Sequence, residues 1–434
     1  MNIRELVYKS LILTEKEKKF SNIELNNKVK SYSLTGIDKA LFTSLYYGVI
    51  ERTVTLDYFI GIYSSKSFSR LDLPVIVLLR MGIYQIVFMD KIPDSAAVNE
   101  TVRLSSRYAS RAKGYINGIL RKICADKEHL EYPDKKEDEI KWLSVFYSVP
   151  EWICRLWKKD YPDHTEKMIA ELSVKRQITF RVNTLKTTRD DLLNSYDCLT
   201  PCRFSPFGVR LNSALPLSEF SPLIDGSCFV QDEASQLAAI ICDPHEKQII
   251  VDVCCAPGGK TFSAAMLSDD NAEIISCDLH ENKLSLVRNE ADILGIKSVK
   301  VFAHDASVPL TDFIGKADRV ICDVPCSGLG VISRKSDLRY KPEESIVGID
   351  DTQYAILTAS SKYLKKGGIL VYSTCTLRKA ENEDVVQKFV DNNPDFSLLP
   401  FSFGDISSDS GMLTFFPDIY HTDGFFVAKI IRDN

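Results

Sequence analysis

Apolar residues recur at helical spacing through the first 128 positions, and few stretches there alternate as strands do. One predicted helix face consists of Leu41, Leu45, Tyr46 and Val49. The segment from Leu73 to Phe88 is almost continuously apolar, which predicts a nearly buried helix. Arg80 and Gln85 interrupt it, so it falls short of the ~20 apolar residues that a membrane span needs. The pattern therefore predicts an all-α domain over residues 1–128.

A charged segment with a proline, residues 126–139, separates this helical zone from a mixed one. Its composition predicts a linker or a solvated loop. Residues 140–222 begin with an aromatic-rich helical pattern, continue with a strand-like run at 178–185 and contain several turn prolines. We therefore expect a small α/β domain at 140–222.

Strand-like and helix-like patterns alternate from residue 223 onwards. The predicted strands are at 249–254, 273–278, 299–303, 319–323, 368–373 and 424–431. Helices are predicted from about residue 260, at 281–294 and at 351–364. Such alternation is typical of a doubly wound, mostly parallel sheet, which binds its ligands at the carboxyl ends of the strands.

Composition narrows the function classes. The chain has 434 residues, 45% hydrophobic and 26% charged, which is typical of globular proteins and excludes a disordered or fibrous chain. Charges at Arg4, Glu5 and Lys9 lie where a signal peptide has its apolar core, so we expect a cytoplasmic protein. We expect its twelve cysteines to be reduced thiols. The net charge of −5 means that any contact with nucleic acid must be local.

A glycine-rich loop, CCAPGGKT at 254–261, follows the first strand of this last zone. Two glycines that open a helix let a ligand approach the backbone closely. Gly259, Lys260 and Thr261 also copy the end of a P-loop, but that motif needs glycine where Cys254 stands, and Pro257 lacks an N–H. We therefore favour the cofactor loop of an S-adenosylmethionine-dependent methyltransferase over a nucleoside triphosphatase.

Acidic residues follow the next three strands, at Asp278, Asp305 and Asp323. Each alone is most simply a helix-cap or turn aspartate. Three of them after a glycine loop predict a cofactor crevice, with Asp278 on the ribose hydroxyls and Asp305 facing the adenine amine.

Two cysteines differ from the other ten. Cys326 follows the fourth strand of the predicted sheet, and Cys375 follows the fifth. An isolated cysteine is usually a small buried hydrophobe, but these two stand in polar turns beside the predicted crevice. Because no Cys/His spacing supports a metal site, we predict no metal.

A thiol beside a methyl donor suits methylation at carbon 5 of a pyrimidine. Carbon 5 of cytosine is a weak nucleophile, and a thiolate that adds to carbon 6 places electron density on carbon 5, which then takes the methyl group. Loss of the carbon 5 proton and of the thiol restores the aromatic ring, and a second thiol can assist that step. An acid near N3 and N4 of the base, which we assign to Asp323, stabilises the adduct.

Three segments closely resemble the bacterial rRNA cytosine-C5 methyltransferases of the NOL1/NOP2/Sun family that carry a NusB-like domain: CCAPGGKT (254–261), DVPCSGLG (323–330) and YSTCTLRKAENEDVV (372–386). The resemblance spans the chain. It implies an all-α NusB-like N-terminal domain (1–128), a small α/β middle domain (140–222) and a C-terminal α/β Rossmann-like methyltransferase domain (223–434). It also implies S-adenosylmethionine as cofactor and 16S rRNA, at cytosine 967, as substrate.

The resemblance makes Cys375 the nucleophile and Cys326 the residue that assists product release. The cofactor residues that it implies are Cys254, Cys255, Ala256, Pro257, Gly258, Gly259, Lys260, Asp278, Asp305 and Asp323.

Basic residues suggest where RNA binds. Six of them and no acid lie between 103 and 122, and the spacing of Arg103, Arg107 and Arg111 predicts one helix face. A solvated surface is the simplest interpretation, but the absence of acids and the NusB-like match favour phosphate contact. A second basic segment, 334–341, follows Cys326. The predicted RNA-binding residues are Arg103, Arg107, Arg111, Lys113, Arg121, Arg181, Arg334 and Lys335.

Three alternatives stay open at this point. The same chemistry can act on another RNA, such as tRNA. The protein can be a non-catalytic RNA-binding assembly factor. Cys326 can be the nucleophile, as the equivalent thiol is in DNA enzymes. We expect a monomer with neither a membrane nor a metal partner.

Overall fold

A computed structural model of the protein describes residues 2–17, 21–174, 176–213 and 215–433. Its contacts define two units. The first unit comprises Met1–Ser173 and Arg334–Lys341, and the second comprises Val174–Ser333 and Pro342–Asn434. The predicted boundaries of three domains stay a prediction.

The first unit is helical, as the apolar spacing predicts. Its helices are α1 (Ile3–Glu17), α2 (Ser21–Ser31), α3 (Gly36–Glu51), α4 (Thr53–Tyr63), α5 (Leu73–Phe88), α6 (Asp94–Tyr108), α7 (Lys113–Asp126), α8 (Glu139–Tyr147), α9 (Glu151–Asp160) and α10 (Thr165–Glu171). The predicted buried helix is α5, whose bounds are confirmed, and it packs against α1, α3, α4, α6 and α7. The charged segment after α7 is largely irregular, as its composition predicts.

The second unit contains all the strands that the structure describes. They are β1 (Ile178–Val182), β2 (Leu199–Pro201), β3 (Gly208–Leu211), β4 (Cys228–Val230), β5 (Ile249–Asp252), β6 (Glu273–Asp278), β7 (Val299–Ala303), β8 (Ala317–Asp323), β9 (Leu364–Thr374), β10 (Phe396–Leu398), β11 (Phe401–Phe403), β12 (Ile406–Ser408), β13 (Met412–Phe415) and β14 (Phe425–Arg432). The remaining helices are α11 (Arg189–Ser195), α12 (Ser221–Ile224), α13 (Glu233–Cys242), α14 (Gly259–Leu267), α15 (Glu281–Leu294), α16 (Ser336–Arg339), α17 (Ile349–Ser361), α18 (Glu383–Asn392) and α19 (Pro417–Tyr420). Of these, α16 belongs to the first unit.

Two sheets dominate the second unit. The small sheet is antiparallel, in the order β2-β3-β1-β4. The large sheet has the order β10-β14-β9-β8-β5-β6-β7, and β13 also pairs with β14. Strands β5 to β9 are parallel, which confirms the predicted doubly wound core, whereas β14 runs antiparallel to β9.

The strand order places a crevice at β5. Within the sheet, β6 is the neighbour of β5 on one side and β8 is its neighbour on the other. In open sheets of this kind, ligands bind at the carboxyl ends of the strands where the order reverses. The glycine-rich loop leaves β5 at this point, and β8 and β9 end beside it with Asp323 paired to Ser373.

The inserted segment, Arg334–Lys341, interrupts the sequence of the second unit and packs with the helices of the first. Asp337 Oδ2 accepts hydrogen bonds from the Ser21 amide at 3.0 Å and the Ser21 hydroxyl at 2.9 Å. Arg339 is buried and its Nη1 donates to the Glu51 carbonyl at 3.0 Å. Within this predicted basic segment, Arg339 therefore serves packing, while Arg334 and Lys335 are exposed.

Candidate active site

The glycine-rich loop turns sharply from β5 into α14. The Cys255 amide donates to the Cys277 carbonyl of β6 at 2.7 Å, which ties the loop to the neighbouring strand. Gly258 has φ of +113°, and a side chain there would strike the Phe262 ring. Glycine is therefore required at this position, and the backbone of the loop stays accessible to a ligand.

Lys260 joins the loop to the end of β8. Its Nζ donates to Asp323 Oδ2 at 2.6 Å and to Ser235 Oγ at 3.1 Å. The Ser373 hydroxyl at the end of β9 donates to Asp323 Oδ1 at 2.7 Å. Both oxygens of Asp323 are thus engaged, which fixes its carboxylate at the carboxyl edge of the sheet.

Asp252, the last residue of β5, is a buried acid that the sequence reasoning missed. Its Oδ2 accepts a hydrogen bond from the Thr261 hydroxyl at 2.6 Å, while Oδ1 has no partner among the described residues. Burial raises the pKa of Asp252 to about 7. The predicted strand runs to residue 254 and places Asp252 inside it, whereas β5 ends at Asp252, as β6 and β8 end at Asp278 and Asp323.

The two other predicted cofactor acids end up in different surroundings. Asp278 is nearly buried at the end of β6, and its Oδ1 accepts the His280 amide at 3.0 Å. Asp305 is exposed two residues after β7, and hydrogen bonds from the Ser307 hydroxyl and amide lower its pKa. The partnerless oxygen of Asp252 and these carboxylates around an open glycine loop fit a ligand rich in amine and hydroxyl donors, as S-adenosylmethionine is.

The two predicted working thiols lie together. Cys326 Sγ and Cys375 Sγ are 3.2 Å apart, and both cysteines are half-buried thiols outside any disulfide. The hydroxyls of Ser327 and Thr376, the residues that follow them, are 2.6 Å apart. The Gly330 amide also donates to the Cys375 carbonyl at 3.0 Å. The loops after β8 and β9 therefore form one hydrogen-bonded cluster.

The surroundings of Cys326 disfavour its thiolate form. Its hydrogen bond with Cys375 and its burial raise the pKa of Cys326 well above its usual range, and the charges of Glu381 and Asp323 add to this effect. A protonated Cys326 can act as a hydrogen-bond or proton donor to its neighbour.

The predicted RNA-binding residues of the first unit lie on its surface, although not on a single helix. Arg103, Arg107, Arg111, Lys113 and Arg121 are exposed. Helix α6 ends at Tyr108, so Arg111 lies in the turn that follows, and the prediction of one helix face for three arginines is wrong. Arg103 pairs with Glu100 at 2.6 Å and Arg107 with Glu5 at 2.8 Å, so nearby acids partly neutralise them.

The structure contradicts the predicted RNA-binding role of Arg181. Its side chain is fully buried in the small sheet, where its guanidinium stacks on the Phe207 ring at 4.7 Å. No hydrogen-bond partner for its guanidinium nitrogens lies among the described residues, and burial lowers its pKa to about 9. The prediction that Arg181 binds RNA is therefore wrong, because an enclosed side chain cannot reach a phosphate.

Three parts of the chain match known protein families. Residues 1–125 match the NusB family, 149–218 match the ferredoxin-like domain of RsmF/B-like methyltransferases, and 239–431 match the 16S rRNA methyltransferase RsmB/F family. The probable ribosomal RNA small subunit methyltransferase B of Bacillus subtilis (strain 168) is 31% identical, over 99% of this chain and 98% of its own length.

The chain belongs to the RsmB/F family of 16S rRNA methyltransferases. Another relative within this family, the probable small subunit methyltransferase B of Synechocystis, is 31% identical over 99% of both chains. Among solved structures, PH0851 aligns with 98% of this chain over 97% of its own length, with a TM-score of 0.80 and 25% identity. The structure of NSun6 from Pyrococcus horikoshii with SFG, at 24% identity and a TM-score of 0.58, covers 66% of this chain and 98% of its own and shares the fold.

Family membership confirms the predicted fold, the enzyme class and the cofactor. RsmB/F proteins are S-adenosylmethionine-dependent rRNA methyltransferases, and the NusB-like region, the small ferredoxin-like domain and the methyltransferase sheet occur here in that order. The triphosphatase alternative is excluded. Within the described part of the chain, no group of His, Cys, Asp and Glu is arranged to hold a metal ion. None of the described helices combines the length and apolar character that crossing a bilayer requires.

Proposed function

We propose that this protein methylates carbon 5 of one cytosine in 16S rRNA, at the position of cytosine 967, through a covalent bond between Cys375 and carbon 6. The observation that carries the proposal is the 3.2 Å approach of two thiols that follow the ends of adjacent strands. A reaction with one nucleophilic cysteine needs no second thiol. In a reaction of addition followed by elimination, one thiol adds to the base and the other assists its release.

The charges around the thiols favour these tasks. Cys326 keeps its proton, because its pKa is raised by the hydrogen bond with Cys375 and by burial. Cys375 loses its proton to solvent, and its thiolate adds to carbon 6, which shifts the electron pair of the C5=C6 bond onto carbon 5. S-adenosylmethionine supplies the methyl group when it is bound. When the carbon 5 proton leaves to solvent, the double bond re-forms and the S–C6 bond breaks, and Cys326 can protonate the departing Cys375 thiolate.

The other groups have supporting tasks. Asp323, held by Lys260 and Ser373, lies at the edge where we expect the base to bind, and it is the candidate for stabilising the adduct at N3 and N4. Residues 254–260 with Asp278 and Asp305 are the proposed holders of the cofactor. The proposed RNA contacts are exposed residues of the first unit: Arg103, Arg107, Arg111, Lys113, Arg121, Arg334 and Lys335.

Trapping with 5-fluorocytidine RNA tests the thiol assignment, because fluorine at carbon 5 blocks the elimination. We expect Cys375→Ala to abolish the covalent protein–RNA band. On ordinary RNA, we expect Cys326→Ala to accumulate it. Cys124→Ala, a half-exposed cysteine of α7, is the matched control and should behave as wild type. The opposite pattern for the two variants would make Cys326 the nucleophile.

Bisulfite sequencing of RNA from a strain that lacks the protein tests the substrate. We expect one small-subunit rRNA cytosine to lose its methyl group, at the position of cytosine 967. An intact small-subunit rRNA with a loss in tRNA would favour the tRNA alternative. Cytoplasmic location and the monomeric state stay predictions.

A further inference from the structure

Glu381 and Gln353, two buried side chains, are hydrogen-bonded to the backbone on the two sides of Cys326. The Ser327 amide donates to Glu381 Oε2 at 2.8 Å. On the other side, Gln353 Nε2 donates both to the Pro325 carbonyl at 3.0 Å and to Glu381 Oε2 at 3.1 Å. Since carbonyl and carboxylate oxygens only accept, the Gln353 amide must present its nitrogen to them. Glu381 and Gln353 together fix the peptide that carries the thiol.

Both residues are fully buried, at 0% exposure, in a region where the mechanism proposed above gives them no part. Burying a carboxylate and an amide is costly unless their hydrogen bonds are made. Arg378 Nη1 lies 3.5 Å from Glu381 Oε1, which partly compensates the charge. Gln353 Oε1 has no partner within the described residues. The arrangement therefore gives hydrogen-bond partners to the Pro325 carbonyl and the Ser327 amide, and it leaves the Gln353 amide oxygen without one among the described residues.

Glu381 is also hydrogen-bonded to β9, the strand that precedes Cys375. The Tyr372 hydroxyl, three residues before Cys375, donates to the Glu381 carbonyl at 2.6 Å. Gln353 belongs to α17, a third segment of the chain. Glu381 thus connects the Cys326 loop with β9. Gln353 and Glu381 form a clamp, and we expect its loss to alter the separation of the two sulfurs.

We propose that Gln353 and Glu381 are positioning residues that hold the Cys326 thiol against Cys375 for release of the methylated RNA. This inference rests on the tasks proposed above for the two cysteines. Gln353 and Glu381 act through the backbone of Pro325 and Ser327. The charge of Glu381 has a second effect, because it adds to the hydrogen bond with Cys375 and to burial in raising the pKa of Cys326.

The first test uses Gln353→Ala in the full chain with ordinary rRNA substrate and S-adenosylmethionine. Loss of the bridge frees the Pro325 carbonyl, and we expect the covalent complex to persist about tenfold longer, as expected for one or two buried hydrogen bonds. The rate at which the complex forms should change less than about threefold. Gln387→Ala, on the exposed face of α18, is the matched control and should release RNA at the wild-type rate. A Gln353→Ala protein that melts like wild type and releases RNA normally, or that slows formation and release equally, would overturn the clamp.

The second test needs no RNA and separates this inference from the proposed function. Iodoacetamide labelling of the Cys326 peptide is followed by mass spectrometry across pH. We expect Gln353→Ala to label several-fold faster than wild type at one pH. We expect Glu381→Gln, which keeps both acceptor bonds, to release RNA nearly normally but to shift the labelling profile of Cys326 to lower pH. If Cys326→Ala fails to accumulate the adduct, the proposed task of Cys326 falls, while unchanged labelling in Gln353→Ala overturns the clamp itself.

Discussion

Lys260 and Arg181 are two buried cations of the same unit with opposite surroundings. Lys260, 8% exposed, meets the Asp323 carboxylate at 2.6 Å at the edge of the large sheet. Arg181, 0% exposed, meets the face of Phe207 in the small sheet, and its nitrogens have no hydrogen-bond partner in the described part of the chain. Burial of a charge does not by itself mark a functional site. A converging set of acceptors does, because it fixes a charge where a reaction can use it.

Replacing Lys260 should give the largest effect. Lys260→Met removes the cation that orients Asp323, and we expect methyl transfer to fall on the order of a hundredfold. Initial rates and calorimetric titration with S-adenosylmethionine would divide the loss between chemistry and cofactor binding. The control is Lys300→Met, which breaks an exposed pair with Glu273. A rate within threefold of wild type would mean that the carboxylate holds its place without Lys260.

Asp252 is a buried ionisable residue of the large sheet, and its protonation should affect the stability of the fold. Its folded pKa of about 7 lies above the ordinary 3.8, so the folded protein keeps a proton that the unfolded chain releases. Stability should therefore fall as pH rises through this window, by about 2 kcal/mol between pH 5 and 7. Urea unfolding at several pH values would measure it, and Asp252→Asn should flatten the dependence. An equally steep profile in that variant would assign the slope to another group.

Arg339 is an intermediate case, a buried cation held by backbone carbonyls. Arg339→Met loses the bonds to Glu51 and Ser148, at 3.0 and 3.4 Å, and should destabilise the first unit by about 1.5 kcal/mol. Hydrogen exchange of the α3 amides would report the loss, with the exposed Arg334→Met as control. Unchanged exchange would show that the inserted segment is held without the bonds of Arg339.

The smallest effects should come from arginines tested for RNA binding. We expect Arg107→Ala to weaken RNA binding a few-fold and to reduce the slope of log affinity against log salt by about 1. Arg181→Met should leave both unchanged, and its stability should be equal to wild type or higher by about 1 kcal/mol. Filter binding across salt concentrations and thermal melts would check this. Weaker RNA binding by a stable Arg181→Met protein would reverse the correction made above.

The parts of the site that sequence could predict are those with local signals. Strand-end positions placed Asp278, Asp323, Cys326 and Cys375 correctly at one sheet edge, because parallel strands bring their carboxyl ends together. Gln353 and Glu381 gave no such signal, since one lies in a helix and the other in a short turn, and only the fold brings them to the Cys326 loop.

The errors have physical causes as well. Arg181 stands in a strand whose second face is also covered, so the usual alternation of buried and exposed positions fails there. Arg111 follows a helix end that has no glycine or proline to announce it. The antiparallel strands β10 and β13 are short and depend on pairing with β14, which local pattern does not specify.

The inserted segment also has a consequence for biosynthesis. The first long stretch of the helical unit ends at residue 173, yet the unit is complete only when residues 334–341 have been made. At about 5–20 residues per second, a ribosome needs on the order of 10–30 seconds to reach them. During this interval the surface that receives Asp337 and Arg339 is exposed on the nascent chain. The first unit is thus finished late in translation, and a truncated protein that stops at residue 173 would lack part of its own interior.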